Sequence, residues 1–257
     1  VKITILGSGT SQGIPVIACG CEVCTSSDQR DDRLRCSVLI EHEGQNYVID
    51  AGPDFRQQML RVKVKTLKAV LFTHEHKDHV AGLDDVRAFN FIEDRDMEIY
   101  CTPQVEEALK REYSYAFAED KYPGIPQLNI NIIGSHPFSL ENDLVVQPIE
   151  VMHYKMPVLG FRFGDFAYIT DAKTVDDSEL EKLSGVKILI VNALRKEPHL
   201  SHFNQDEALE FIAKVNPGQA YLTHISHLFG KHEDIESGLP PNVGVAYDGQ
   251  KFEIDYP

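Results

Sequence analysis

The chain has 257 residues, 42% of them hydrophobic, and carries 40 acidic side chains against 25 basic ones for a net charge of −15. That is enough apolar matter for the core of one large domain spanning 1–257, while the acidic balance argues against a surface that tracks the phosphates of a nucleic-acid polymer. No apolar run approaches the roughly 20 residues that a membrane span requires, so no membrane partner is expected.

Residues 1–6 alternate like a strand and lack the long apolar core of a signal peptide, which makes a cytoplasmic location the expectation. The Gly-rich turn Gly7-Ser8-Gly9-Thr10-Ser11-Gln12-Gly13 follows, and beyond it Cys19, Cys21 and Cys24 place three thiols within six residues. In a reducing compartment this spacing reads as three legs of a structural zinc site, the alternative being reduced thiols in a turn. The fourth ligand has to come from elsewhere, and His227 is the best candidate. Cys36 and Cys101 lie in strand-like runs and belong to the core. Strands are expected over 36–42 and 46–50, joined at Glu43-Gly44, and over 68–73.

The strand at 68–73 runs into His74-Glu75-His76-Lys77-Asp78-His79, with four metal-ligand side chains in six residues. So short a segment cannot wrap four ligands around one ion without strain. It can aim His74 and His76 at one ion and Asp78 and His79 at a second, provided that distant segments add ligands and a bridging carboxylate. Asp50, at the end of its own strand, reads as an acceptor that orients the His74 loop. Helical periodicity covers 79–90 and 103–117. The Tyr-rich, Pro-broken stretch 113–126 is either a lid or a plain surface loop.

Strands are then expected near 129–133, 144–149, 159–163, 166–170, 187–191 and 219–223. His153 comes shortly after one of them, while Asp171 and His224 close two others, positions that fix a side chain yet leave it open to a ligand. A helix over 205–215 opens with the capping-box pair Asn204 and Glu207. Strands near 243–247 and 251–254 finish the chain. Strands followed by helices, twice over, give an α+β class with two sheets packed face to face and helices outside.

These residues together resemble the metallo-β-lactamase superfamily, whose fold is an αββα four-layer sandwich with a dinuclear metal site on strand-end loops. The resemblance implies that His74, His76 and His153 take the first ion, that Asp78, His79 and His224 take the second, and that Asp171 bridges them. The ions would be Zn²⁺ or Mn²⁺, which share such ligands. Within the superfamily the chain is most similar to the PhnP-type phosphodiesterases that hydrolyse phosphoribosyl 1,2-cyclic phosphate. The similarity lies in the opening Gly-Ser-Gly-Thr-Ser-Gln-Gly-Ile-Pro, the Cys19, Cys21, Cys24 and His227 set, and the motifs Thr223-His224-Ile225-Ser226-His227 and Val245-Ala246-Tyr247-Asp248-Gly249. Pro198-His199-Leu200-Ser201-His202 stands where that family has a catalytic His ahead of a helix, and His202 fits that position better than His199. The stretch 94–126 departs from the pattern.

What the resemblance implies is a hydrolase of small, anionic, cyclic phosphodiesters that uses water activated between two metal ions, with one structural Zn²⁺ besides and a homodimeric assembly. Asp171 and His202 would be its catalytic residues, and Arg87 and Lys155, which follow ligand segments, are candidates for holding a second phosphate. They read equally well as solvated surface cations. Lactonases, thioesterases and the tRNA 3′-end endonuclease use the same scaffold, the last normally with a basic arm of which this chain shows no obvious counterpart.

Overall fold

The computed structural model describes residues 1–120 and 122–256. The chain opens with β1 (Lys2–Gly7), β2 (Ser37–His42), β3 (Gln45–Ile49), β4 (Ala69–Leu71), β5 (Met97–Cys101) and β6 (Leu128–Ile132). It continues with β7 (Phe138–Ser139), β8 (Val145–His153), β9 (Met156–Phe163), β10 (Phe166–Ile169), β11 (Ile188–Asn192), β12 (Gln219–Thr223) and β13 (Val243–Val245), and ends with β14 (Lys251–Glu253). Two seven-stranded sheets result, ordered β14-β1-β2-β3-β4-β5-β6 and β13-β12-β11-β10-β9-β8-β7. The helices are α1 (Phe55–Val62), α2 (Lys77–Val80), α3 (Arg87–Glu93), α4 (Pro103–Glu112), α5 (Asp177–Glu181), α6 (Gln205–Val215) and α7 (His232–Ser237).

The two-residue period of the strands builds the layers. In β4, Ala69 and Leu71 join the core between the sheets with Ile3, Tyr47 and Phe161, while Val70 faces outward onto Phe55, Phe89 and Leu109. In β10, Phe166 and Tyr168 face the partner sheet, and Ala167 and Ile169 pack outward with Phe211 and Ile212 of α6. Central strands buried on both faces explain why these segments read as unbroken apolar runs. Helix, sheet, sheet and helix follow one another, which is the αββα sandwich expected.

Several elements differ from expectation. Residues 79–90 are not one helix: α2 stops at Val80, a 3-10 turn covers Leu83–Val86, and α3 starts at Arg87. The cause is at Gly82, whose N–H donates to Ala51 O at 2.8 Å, and where a Cβ would overlap the Gly52 carbonyl. The helix at 103–117 ends at Glu112, followed by a 3-10 turn at Ser114–Ala116. β8 runs on to His153, so that ligand candidate closes its strand directly. Helices α1, α5 and α7 and strand β7 add to the elements expected, and the strand-like run at Cys101 is β5. In the stretch considered as a lid, Tyr113 is buried with its OH donating to Val80 O at 2.8 Å, and Tyr115 donates to Asp84. Lys121 lies outside the described residues.

Candidate metal centre

Strand ends from both sheets converge at one edge of the sandwich. Asp50 follows β3, Thr73 and His74 follow β4, His153 ends β8, Asp171 follows β10, Asn192 ends β11, and His224 follows β12. Asp50, Asp171 and His224 have φ of 63°, 59° and 58°. Non-glycine residues rarely adopt that left-handed region, and such backbone persists where its surroundings over-determine it, as at functional sites.

Asp171 is the hub. Its Oδ2 lies 3.4 Å from His74 Nε2 and 3.5 Å from His79 Nε2, and its Oδ1 lies 3.1 Å from His224 Nε2. Asp78 Oδ2 is 3.3 Å from His79 Nε2. Donor atoms of Asp78, His79, Asp171 and His224 all fall within 4.8 Å of one another, as do those of His74, His76 and Asp171, and those of His153, Asp171 and His202. All seven ligand positions expected are therefore brought together. His153 groups with His202 rather than with His74 and His76, although its ring centroid is 5.1 Å from that of His76.

A shell of buried partners fixes the imidazoles. Thr73 Oγ1 donates to Asp50 Oδ2 at 2.8 Å, so its lone pair accepts His74 Nδ1–H at 2.9 Å. His79 Nδ1 donates to Asp50 Oδ2 at 2.7 Å, and His153 Nδ1 donates to Ser201 O at 2.8 Å. Asp50 thus orients His79 as well as the His74 loop. With Nδ1 carrying the proton, the Nε2 lone pairs of His74, His79 and His153 are free for another partner.

Charge in the site is skewed. Burial alone would raise the Asp171 carboxyl, but the His224 and His79 imidazoles overcome it and hold the group well below the usual carboxylate range. Burial would lower His79, yet Asp171 and Asp50 hold it well above its ordinary value. Burial pushes His74 and His224 down. His202 is pushed down to about 2 by burial, with the His224 imidazole beside it adding to the effect. Its ring lies 4.5 Å from that of His153 and 4.7 Å from that of His224, and its Nδ1 is buried with no hydrogen-bond partner.

A second cluster lies on the loop after β1. The Sγ atoms of Cys19, Cys21 and Cys24 are 3.4, 3.5 and 3.6 Å from His227 Nδ1. The Cys24 backbone N–H and the His227 ring pull the Cys21 thiol down to about 6, while burial pushes Cys24 up to about 11. Arg87 and Lys155 make no contact with either cluster among the described residues: Arg87 pairs with Asp84 at 3.1 Å, and Lys155 lies over the Tyr154 ring at 5.3 Å.

The model of the Beta-lactamase superfamily domain matches residues 45–225. A solved structure described as a new diphosphatase from the PhnP family superposes with a TM-score of 0.91 at 37% identity, covering 98% of this chain and 96% of that one. The chain belongs to the metallo-β-lactamase superfamily, on its PhnP-like branch. Another relative, Coenzyme PQQ synthesis protein B of Methylorubrum extorquens, is 30% identical over 305 residues, covering 99% of this chain and all of that protein. An octanoyltransferase of Porphyromonas gingivalis is 38% identical over 258 residues, but the chain spans only 52% of its length.

The metallo-β-lactamase fold implies divalent metal ions, and the residues fit them. Nε2 of His74 and of His224 is buried with no hydrogen-bond partner, although each faces Asp171 oxygens. Lone pairs turned on a carboxylate repel unless a cation stands between them. Ligands at about 2.0–2.2 Å around a tetrahedral ion span edges of about 3.4 Å, close to the separations seen. For the cysteine cluster, sulfur at about 2.3 Å and nitrogen at about 2.0–2.1 Å span an edge of about 3.6 Å, again matching.

Beyond Asp50, sequence reasoning missed the supports of the site. Asn192 clamps the residue after Asp171: Ala172 N donates to Asn192 Oδ1 at 2.7 Å, and Asn192 Nδ2 donates to Ala172 O at 2.9 Å. Phe203 N, next to His202, donates to the same carbonyl at 2.7 Å. A polar residue closing an apolar strand was the available signal, the same one that pointed to Asp171. Gly52 lies under the metal loop, where a Cβ would overlap the Asp78 carbonyl. A glycine directly after the strand that ends at Asp50 was its signal.

Proposed function

We propose that this metallo-β-lactamase-fold hydrolase cleaves P–O bonds of small anionic phosphodiesters, cyclic ones among them, at a dinuclear metal centre. The observation that supports it is Asp171, whose carboxylate is shared by all three donor groups and so lies where a bridge between two ions belongs. The 37% identical structural relative described as a diphosphatase supports phosphorus chemistry over other ester classes. In this reading His74, His76 and His153 hold one ion, and Asp78, His79 and His224 hold the other. Two divalent ions bound there would lower the pKa of an attacking water and neutralise charge that builds on the phosphoryl group.

The remaining roles belong to the chain. Asp50, Thr73 and the Ser201 carbonyl keep the Nδ1 protons in place, so that His74, His79 and His153 present Nε2. His202 is the side chain set to steady the leaving oxygen. Burial keeps it neutral, which leaves one ring N–H to donate a hydrogen bond to a departing alkoxide. Cys19, Cys21, Cys24 and His227 would hold one structural Zn²⁺ in a reduced, cytoplasmic setting. A nucleic-acid polymer is not the substrate for a chain of net charge −15, and a homodimer is the proposed assembly.

A panel assay tests the reading. The metal-loaded protein is offered a ribosyl 1,2-cyclic phosphate, a 2′,3′-cyclic nucleotide, bis(p-nitrophenyl) phosphate, a diphosphate ester, a lactone and a thioester. Turnover of the phosphorus esters is expected, lost with EDTA and restored by Mn²⁺ or Zn²⁺. Preferential turnover of the lactone or the thioester would refute the proposal.

A further inference from the structure

A small cavity opens beside the strand-end cluster, between the ends of β5 and β6 on one sheet and the β8–β9 hairpin on the other. Both ligand-bearing segments help to wall it. Glu75 stands between His74 and His76, while Met156 and Pro157 lie just past the turn after His153, with Met156 paired to His153 across the hairpin. The floor is Ile133 and Leu159, two side chains of the core between the sheets. Leu159 N donates to Thr73 O at 3.0 Å, which ties that floor to the residue before His74. A group held in the cavity lies beside the segments that carry His76 and His153, whose rings are 5.1 Å apart.

At about 190 Å³ the cavity is smaller than the roughly 300–1,000 Å³ that drug-sized ligands occupy, so it takes one ring system rather than a whole nucleotide. Its rim has hydrogen bonding of both senses to spare. The carboxylates of Glu75 and Glu150 have neither a cation nor a donor among the described residues. Gln104, in the first turn of α4, has no partner for its backbone N–H or its side-chain amide, because the N-cap Thr102 takes only Val105 N and Glu106 N.

That rim discriminates among occupants. Two carboxylates without a cation repel a phosphoryl group, so the cavity suits the uncharged half of a diester. A plain hydrocarbon ring leaves every polar group on the rim unpaired. An organic ammonium offers nothing for Gln104 to donate to, and among the described residues no aromatic face lines the cavity to hold it. A nucleobase has apolar faces for Leu159, Met156 and Pro157 and an edge that carries donors and acceptors together. Guanine matches best: its adjacent N1–H and amino group meet one carboxylate in a two-pronged way, and its O6 accepts from Gln104.

We propose that this cavity binds the base of a nucleotide-derived phosphodiester, guanine by preference, while the phosphoryl group lies at the strand-end cluster. This rests on the phosphodiesterase reading and narrows its substrate class to esters of single nucleotides. Glu75 and Gln104 set the choice of base, and Met156 and Pro157 cover its face.

Gly134 gives the sharpest test. It lines the cavity, its backbone lies outside the left-handed region, and nothing stands within 4 Å of where a Cβ would be, so Gly134→Leu narrows the space without strain. Calorimetry on the Zn²⁺- or Mn²⁺-loaded protein compares guanosine, cytidine and ribose, none of which carries a phosphate. Guanosine is expected to bind at least about tenfold tighter than cytidine, and ribose not measurably. Gly134→Leu should abolish guanosine binding, and Glu75→Gln should cut the preference for guanosine about tenfold, with metal content unchanged in both. In turnover, kcat/KM for guanosine 2′,3′-cyclic phosphate should exceed that for base-free ribose 1,2-cyclic phosphate by at least about tenfold. Gly134→Leu should remove this excess while base-free turnover stays within about twofold. Guanosine bound no more tightly than cytidine or ribose, or a Gly134→Leu loss shared by the base-free substrate, overturns the base site. Guanosine binding that both substitutions weaken, without turnover of any phosphorus ester, overturns the hydrolase reading and leaves the base site standing.

Discussion

The two candidate metal clusters of this chain are built on opposite plans. The cysteine cluster draws three thiols from one short loop and one imidazole from another, and its four donors, all within 4.8 Å of one another, are the number a tetrahedral structural ion takes. The Asp171 cluster draws its ligands from the ends of four strands in two sheets, and His74, His79, His153 and the backbone at Asp171 lean on further partners: Thr73, Asp50, a main-chain carbonyl and, through Ala172, Asn192. A saturated set needs no such support and has no vertex left for a substrate. A set that is to leave room for a reactant cannot rely on its ions for rigidity and has to be braced from behind.

Four substitutions press on that difference. Asp171→Ala removes the shared carboxylate and should abolish hydrolysis, on the order of 10³-fold or more, with loss of metal from the strand-end cluster and the cysteine-bound ion retained. Metal analysis beside the assay checks it, and two equivalents remaining in the strand-end cluster would contradict the shared role. His202→Ala should slow turnover about 10²-fold while metal content stays near normal, which a steady-state assay on metal-quantified protein would show. Asn192→Ala leaves every ligand in place but frees the Ala172 clamp, so metal affinity at the Asp171 cluster should drop about tenfold, read by competition with a chelator. An unchanged affinity would mean that the brace is dispensable. Cys21→Ser should act first on stability, lowering Tm by roughly 5–10 °C with activity affected second, and a melting curve like that of the unaltered protein would count against a structural ion.

Much of this was legible in the sequence because the chemistry was contiguous or marked by strand ends. His74, His76, Asp78 and His79 sit in six residues, and Asp171 and His224 directly follow apolar strands. The sandwich itself followed from strands that alternate or run fully apolar. What stayed hidden depends on contacts between distant backbones. The break in the helix expected at 79–90 is imposed by the approach of Gly82 to Gly52, which no periodicity reports. Helix α1 was missed because it buries only Phe55, Gln58 and Met59, with Leu60 exposed and Val62 only partly buried, which blurs its apolar face.

One piece of backbone is common to both clusters. Ile225 lies between His224 and His227, its N–H donating to Ser8 O at 2.9 Å and its carbonyl accepting from Thr10 N at 3.0 Å, on the very loop that leads to the cysteines. Whatever loosens the thiolate knot therefore also slackens the cord that tethers His224. If an ion sits among the thiols, its loss would reach the Asp171 cluster along this stretch of backbone, without that ion ever meeting a substrate.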